Sequence, residues 1–377
     1  MRTASIAALF LLVPGAWAAA PGDTGFTFLT LGASARETSM AETGVALRDD
    51  LSGAFLNPAG AGGPSSQQVS FAYEKIFDDL SYGQAGYLHP TEGHGTFAGK
   101  LDYLNYGAIA GADATGLQTG NVSASDRMLT MSWASRRQDI TPGVSLKVVQ
   151  ESLADVTATA FAVDLGAVYS PRQSADSGSF WSRQLSLMSF GAAIRNAGPP
   201  AHFDQQAEQL PLSAVVGAAH RSFKGSLIVA LDIERAQDKN RPIVAHLGAE
   251  TWIKDVLALR VGLRSDQDIG LPLTWGVGIK AGAMQVDYAM QLFGALGFTH
   301  RIGLTMRFGA GLAESSYEKG LHAMREGNYA DAVLFFDKAL AVDPRNRKVL
   351  RAAMDAARAL EKELPPSPPS KDGARAP

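Results

Sequence analysis

The stretch Met284-Gln285-Val286-Asp287-Tyr288-Ala289-Met290-Gln291-Leu292 decides the fold. Met284, Val286, Tyr288, Met290 and Leu292 are large and apolar, whereas Gln285, Asp287, Ala289 and Gln291 are polar or small. A period of two is the signature of a β-strand with one apolar face, because successive side chains leave a strand on opposite sides. The same alternation sets Leu227, Val229, Leu231 and Ile233 against Ile228, Ala230, Asp232 and Glu234. It recurs with Leu257, Leu259, Val261 and Leu263 against Ala258, Arg260, Gly262 and Arg264, and with Leu273, Trp275, Val277 and Ile279 against Thr274, Gly276, Gly278 and Lys280.

Worked outward in this way, the chain reads as strands over 67–74, 82–89, 95–104, 127–135, 142–152, 158–170, 184–195, 211–221, 225–235, 243–252, 256–264, 272–281, 283–292 and 298–308. Most have the length of about 9 to 11 residues that crosses a bilayer when tilted. About fourteen strands is an even number, which puts both ends of the sheet on one side. Connections after even strands are mostly tight (90–94, 222–224, 253–255), with 171–183 an exception, while those after odd strands include 105–126 and 197–209. That asymmetry suits an outer-membrane barrel with short periplasmic turns and longer outer loops. A soluble sandwich would alternate too. Against it stand near-continuous hairpin connectivity, an export signal, and Lys147, Asp164, Glu250 and Lys280 on the face opposite the apolar stripe, as a wet lumen allows.

The predicted fold class is therefore an all-β transmembrane barrel of about 14 antiparallel strands over residues 67–308, with an N-terminal plug and a small helical appendage. Its last strand, Arg301-Ile302-Gly303-Leu304-Thr305-Met306-Arg307-Phe308, resembles the terminal signal by which bacterial barrels are handed to the outer-membrane assembly machinery. Arg301, Gly303, Met306 and Phe308 carry that likeness, and the machinery is an expected partner alongside outer-membrane lipid.

Composition agrees. Lys+Arg 34 against Asp+Glu 37 leaves a charge of -3, without the basic excess that nucleic-acid binding needs. With Cys 0, disulfides, thiolate metal sites and cysteine nucleophiles are excluded. Met1-Arg2, an apolar run from Ile6 to Val13 and Ala16-Trp17-Ala18 form the three-part layout of a secretory signal peptide, residues 1–18, with cleavage expected after Ala18. The apolar run is shorter than the ~20 residues of a spanning helix. Without a cysteine at the cleavage site, a lipid anchor is excluded.

Residues 19–66 lack long alternation. They contain Phe28-Leu29-Thr30-Leu31-Gly32-Ala33-Ser34-Ala35-Arg36, then Met40-Ala41-Glu42-Thr43-Gly44-Val45-Ala46, then Asp49-Asp50-Leu51-Ser52-Gly53-Ala54-Phe55-Leu56-Asn57-Pro58-Ala59-Gly60. In that order these elements resemble the N-terminus of the PorV/PorQ family, relatives of the FadL-type fatty-acid transporters. The resemblance spans residues 24–308 and departs at Leu56, where an aromatic is usual, and at Glu42-Thr43, where Gly-Gly is common. It implies an inward-folded hatch and one of two roles: passage of a hydrophobic small molecule, as in FadL-like barrels, or a PorV-like platform for secretion or surface attachment of exported proteins. On that reading Arg36, Asp49, Asp50 and Asn57 tie the hatch to lumen charges; they would equally serve as caps of short helices and turns. Asn57-Pro58 is a turn signal, and Ala59-Gly60 begins a small-residue run that packs closely against a wall.

No catalytic or metal motif emerges. Residues 95–100 brush against a phosphate loop, but Leu101 stands where Ser or Thr would bind magnesium. His89, His94, His202, His220, His246, His300 and His322 show no HExxH pair or ligand spacing, and no GxSxG elbow exists. The expectation is a non-enzyme without cofactor or metal.

After Phe308 the period becomes helical. Gly320, Gly327, Tyr329, Ala332, Phe336, Ala339 and Pro344 fall at the spacing of one tetratricopeptide repeat within residues 314–363, with a third helix over 347–363 and a disordered tail, 364–377. A lone repeat leaves its groove unfilled, so it is expected to dock on the barrel, on a second copy or on a periplasmic protein partner. The barrel would sit in the bacterial outer membrane with the repeat on the periplasmic side.

Overall fold

The computed structural model describes residues 25–31, 34–76, 79–112, 115–171, 184–203, 206–237, 242–265, 273–292, 297–309, 311–342 and 346–363. The signal-peptide reading, the disordered tail, Gly32-Ala33 and Pro344 lie outside them. The chain divides into two compact units, Met1–Arg307 and Phe308–Pro377.

The first unit is a closed antiparallel barrel. Its strands are β1 (Gln67–Lys75), β2 (Ser81–Thr91), β3 (Gly95–Ala112), β4 (Gln118–Ala134), β5 (Ile140–Leu153), β6 (Val156–Tyr169), β7 (Met188–Ala197), β10 (Ser213–Ser222), β11 (Leu227–Ala236), β12 (Val244–Ile253), β13 (Leu257–Arg264), β14 (Leu273–Ala281), β15 (Met284–Leu292) and β16 (Phe298–Phe308). A separate hairpin, β8 (Ala201–Phe203) and β9 (Gln206–Glu208), interrupts the series. Each barrel strand pairs with its chain neighbour in the ring, and β1 pairs with β16 to close it, so no sheet edge is left for another chain to extend.

The alternation seen in the sequence becomes an inside and an outside. Phe97, Leu101, Leu146, Phe161, Ile279 and Ile302 are all more than half exposed on the outer face, while Lys100, Asp102, Lys147, Asp164, Asp232, Glu250 and Arg260 are buried within. Only hydrocarbon outside the ring makes this inverted pattern favourable, since a soluble protein would hide the large apolar groups and wet the charges. The apolar residues of the terminal strands, Tyr288, Met290, Leu304 and Met306, have outward parity. Gly303 and Arg301 face inward, and Arg301 donates to Glu74 through Nε at 2.7 Å.

Two expected loops are structured. The 105–126 connection continues β3 and β4 as a two-stranded ribbon, with register shifts between Asn105 and Ala108 and between Gly111 and Ala112. Gly107 takes φ +74° at the first. Beyond this bend both faces of the ribbon are exposed, and the two-residue period disappears. The 197–209 connection holds the β8–β9 hairpin.

The second unit contains three helices, α3 (Leu312–Arg325), α4 (Tyr329–Val342) and α5 (Arg347–Glu363), which follow two short helices of the first unit, α1 (Ala35–Thr38) and α2 (Gly53–Leu56). Ala332, Phe336, Ala339, Val349 and Ala356 form its buried core. A Cβ on Gly320 would lie 2.5 Å from the Phe336 ring, so α3 and α4 approach only because that position is glycine. Gly327, at φ +75°, ends α3, and the half-buried Tyr329 opens α4. Asn328 caps α4 by accepting from the Asp331 amide at 3.2 Å.

Candidate functional site

The residues between the described N-terminus and β1 lie inside the ring of strands. Their hydrogen bonds reach inward-facing groups of strands all around the barrel: Gln68 on β1, Ala167 on β6, Asp232 on β11, Glu250 on β12 and Thr274 on β14. A segment that touches opposite walls at once must occupy the lumen.

Local chemistry shapes it. Ser34 caps α1 by accepting from the Arg36 amide at 3.2 Å, and its hydroxyl donates to the Glu37 carboxylate three residues on. That leaves the Arg36 guanidinium free to reach across. It grips Glu250 with Nε and Nη2, each at 2.8 Å, and meets Asp50 at 2.9 Å and Asp49 at 3.2 Å. The same wall completes the network, since Arg260, on the strand beside Glu250, donates to Glu250 at 2.6 Å and to Asp287 at 2.7 Å, and Arg221 pairs with Asp49. A planar guanidinium holds a carboxylate with two parallel bonds, which gives this contact direction as well as energy. A cleft of about 230 Å³ bordered by Arg36, Asp49, Arg221, Glu250, Lys280 and Arg307 adjoins it.

Burial sets the protonation of this group. It opposes the Arg36 charge, yet Glu250 and Asp50 hold that guanidinium firmly protonated. Asp49 is held below the ordinary carboxylate range, because Arg221 and Arg36 outweigh its burial. Glu37 goes the other way, to about 7, pushed up first by burial and then by Asp50. Arg48 falls to about 10 through burial and the nearby Arg136 and Arg221.

Asn57 serves a second anchor. Fully buried and extended at φ -146°, it donates to the carbonyls of Val45 at 2.8 Å, Ala167 at 3.3 Å and Ala192 at 3.4 Å, and accepts from the Ala59 amide at 3.0 Å. Pro58 follows at the first position of the 3₁₀ turn Pro58–Gly62, where its missing N–H costs nothing. A Cβ on Gly60 would stand 2.6 Å from the Gly53 carbonyl, so the two turns stack only with glycine there. Inward glycines Gly143, Gly166 and Gly191 on β5, β6 and β7 present bare backbone to Ala59, Asn57 and Val45. At Glu42, the first residue of the departure from Gly-Gly, and at Ala41 before it, the backbone holds left-handed φ of 60° and 55°. That costs strain, offset by the Thr274 hydroxyl on the Ala41 amide at 3.0 Å and by Asp232, which accepts from Gly44 and Val45 at 2.7 and 2.9 Å.

Above these polar anchors is an apolar chamber. Phe26, Phe28 and Leu29 fill it against Tyr82, Leu104, Met128, Val149 and a row of alanines on β6. Phe28 meets Tyr82 edge-on, with centroids 6.3 Å apart.

The structure thus brings Arg36, Asp49 and Asp50 into one network and sets Asn57, Pro58, Ala59 and Gly60 in a second. Sequence reading missed Glu37, Asp232, Gln68 and the three wall glycines as partners. Their inward parity in an alternating strand was the available signal for the wall residues, but parity does not name the partner.

The strands define a closed 14-strand antiparallel transmembrane β-barrel. No protein-family model and no curated protein matches the sequence. Among solved structures the chain is similar to the Ralstonia pickettii toluene transporter TbuX, with TM-score 0.54 and 15% identity over 74% of this chain and 99% of that one. It is also similar to the CymD monoaromatic hydrocarbon channel (0.53; 14%; 74% and 98%) and to the Pseudomonas putida toluene transporter TodX (0.50; 13%; 73% and 96%). At such identities these likenesses establish the fold.

Proposed function

We propose that the protein is an outer-membrane channel for a hydrophobic small molecule, with residues 19–66 as the plug that gates it. The observation that carries this reading is the apolar chamber inside the ring, whose contents are side chains of the N-terminal segment rather than of the wall. Withdrawal of Phe26 and Phe28 would empty a ligand-sized apolar space, and burial of a neutral hydrocarbon there would return roughly 25 cal/mol per Å². The neighbours' hydrocarbon transport supports the same reading. The helical unit, on the periplasmic side if both sheet ends face inward, favours a second role as a platform for exported proteins. It lines a groove of about 490 Å³ with Tyr317, Phe336, Lys348 and Arg351.

Uptake of a radiolabelled alkylbenzene by intact cells tests the channel. Cells lacking the protein should take it up several-fold more slowly than complemented cells, and a chain without residues 28–63 should raise permeability to small solutes. Equal uptake with and without the protein would refute the channel; loss of a surface protein with normal uptake would favour the platform.

A further inference from the structure

The lumen carries a second pattern at the end of the chamber away from the sheet's termini. Asp126 on β4 and Glu151 on β5 are direct cross-strand partners with inward parity. Asp126 accepts from the Tyr106 hydroxyl at 2.8 Å. The Glu208 carboxylate, on the β8–β9 hairpin, lies against Gly25, where any Cβ would collide with it. Among the described residues none of these three carboxylates has a cation among its ion pairs. One step further in along the same strands, the wall is apolar: Met128 faces Val149.

The cations beyond that layer are already committed. Lys147 holds Asp164 at 2.7 Å and Asn196 at 2.8 Å, and Lys100 holds Asp102 at 3.2 Å while lying 4.5 Å above the Phe55 ring. An anionic headgroup entering the chamber would pass three carboxylates and then find each lysine neutralised. To bind one it would have to break a buried pair and leave an aspartate unpaired, which is costly. An uncharged molecule meets neither obstacle. Phe26 and Phe28 already show that neutral aromatic groups fit the chamber.

We infer that the channel selects uncharged hydrophobic molecules over their carboxylated analogues, with Asp126, Glu151 and Glu208 as an electrostatic collar that excludes anions from the apolar chamber. This rests on the channel reading above and names the ligand class for it. The collar acts by repulsion in a low-dielectric mouth, where like charges are poorly screened.

The test uses the full chain in zwitterionic nanodiscs at pH 8, corrected with empty discs, and two radiolabelled probes, butylbenzene and 4-phenylbutanoate. Butylbenzene should bind at least about tenfold more tightly, and the ratio should shrink several-fold in an Asp126→Asn/Glu151→Gln variant as the carboxylate gains access. Equal or tighter binding of phenylbutanoate, or a ratio unmoved in the variant, would overturn the selectivity while leaving the channel intact. Binding of neither probe above empty discs would overturn the channel reading itself, and this inference with it.

Discussion

Replacing Arg36 by Ala tests whether the lumen segment is held by its charge network. The guanidinium makes two bonds to Glu250 and one each to Asp50 and Asp49, and all but Asp49 are almost fully buried. Removing one member of a buried ion pair costs about 3–5 kcal/mol, because the partner's charge stays behind without compensation. The lower end applies here. Glu250 keeps Arg260 at 2.6 Å and Trp252 at 3.1 Å, and Asp50 keeps the amides of Ser52 and Gly53 at 3.1 and 3.2 Å. About 3 kcal/mol is roughly a hundredfold in the opening equilibrium of the segment. Hydrogen exchange followed by mass spectrometry should therefore show amides of residues 35–60 exchanging about a hundredfold faster, while the interstrand ladder keeps its protection. Single-channel conductance should rise in parallel. Adding Glu250→Gln removes the stranded charge and should recover at least about 1 kcal/mol of the loss. Exchange within twofold of the parent chain in Arg36→Ala would refute the network as the tether.

Glu37 supplies a pH dependence. Its folded pKa of about 7 lies above the ordinary glutamate value of 4.5, so the folded segment binds the proton more tightly, and docking weakens as pH rises from about 4.5 to 7. The loss approaches about 3 kcal/mol above pH 7, and Glu37→Gln should abolish it; exchange rates corrected for intrinsic pH effects, compared at pH 5.5 and 8.5, decide the matter. Asn57→Ala leaves three carbonyls without their donor and should cost about 1–3 kcal/mol, read as faster exchange at residues 57–63. On the outside, Leu231→Arg at mid-strand should destabilise the barrel by about 2–4 kcal/mol in urea unfolding from liposomes, whereas Phe223→Arg in a turn should change it by less than about 1. Removing residues 314–377 should leave a heat-modifiable barrel band on gels, because β16 already closes on β1; loss of that band would show that the helical unit is needed for assembly.

The sequence by itself determined the barrel. Alternation such as Met284 to Leu292 is a local property of strands whose two faces meet different solvents, and it set which residues face out and most strand positions, though the strand read over 184–195 runs Met188–Ala197. It failed where the solvents are the same on both sides, as in the ribbon extending β3 and β4. For the lumen segment, sequence singled out Arg36, Asp49, Asp50 and Asn57 but left open whether they cap turns or reach the wall. The structure shows both at once: Asn57 caps the Pro58 turn and ties β6 and β7, and Asp50 receives its own turn's amides and Arg36. Only closure of the ring decided that Arg36 meets Glu250, 214 residues away, and that Gly166 faces Asn57. Such pairs are chosen by strand stagger and by the volume left inside the barrel, quantities of the whole ring that no local periodicity encodes.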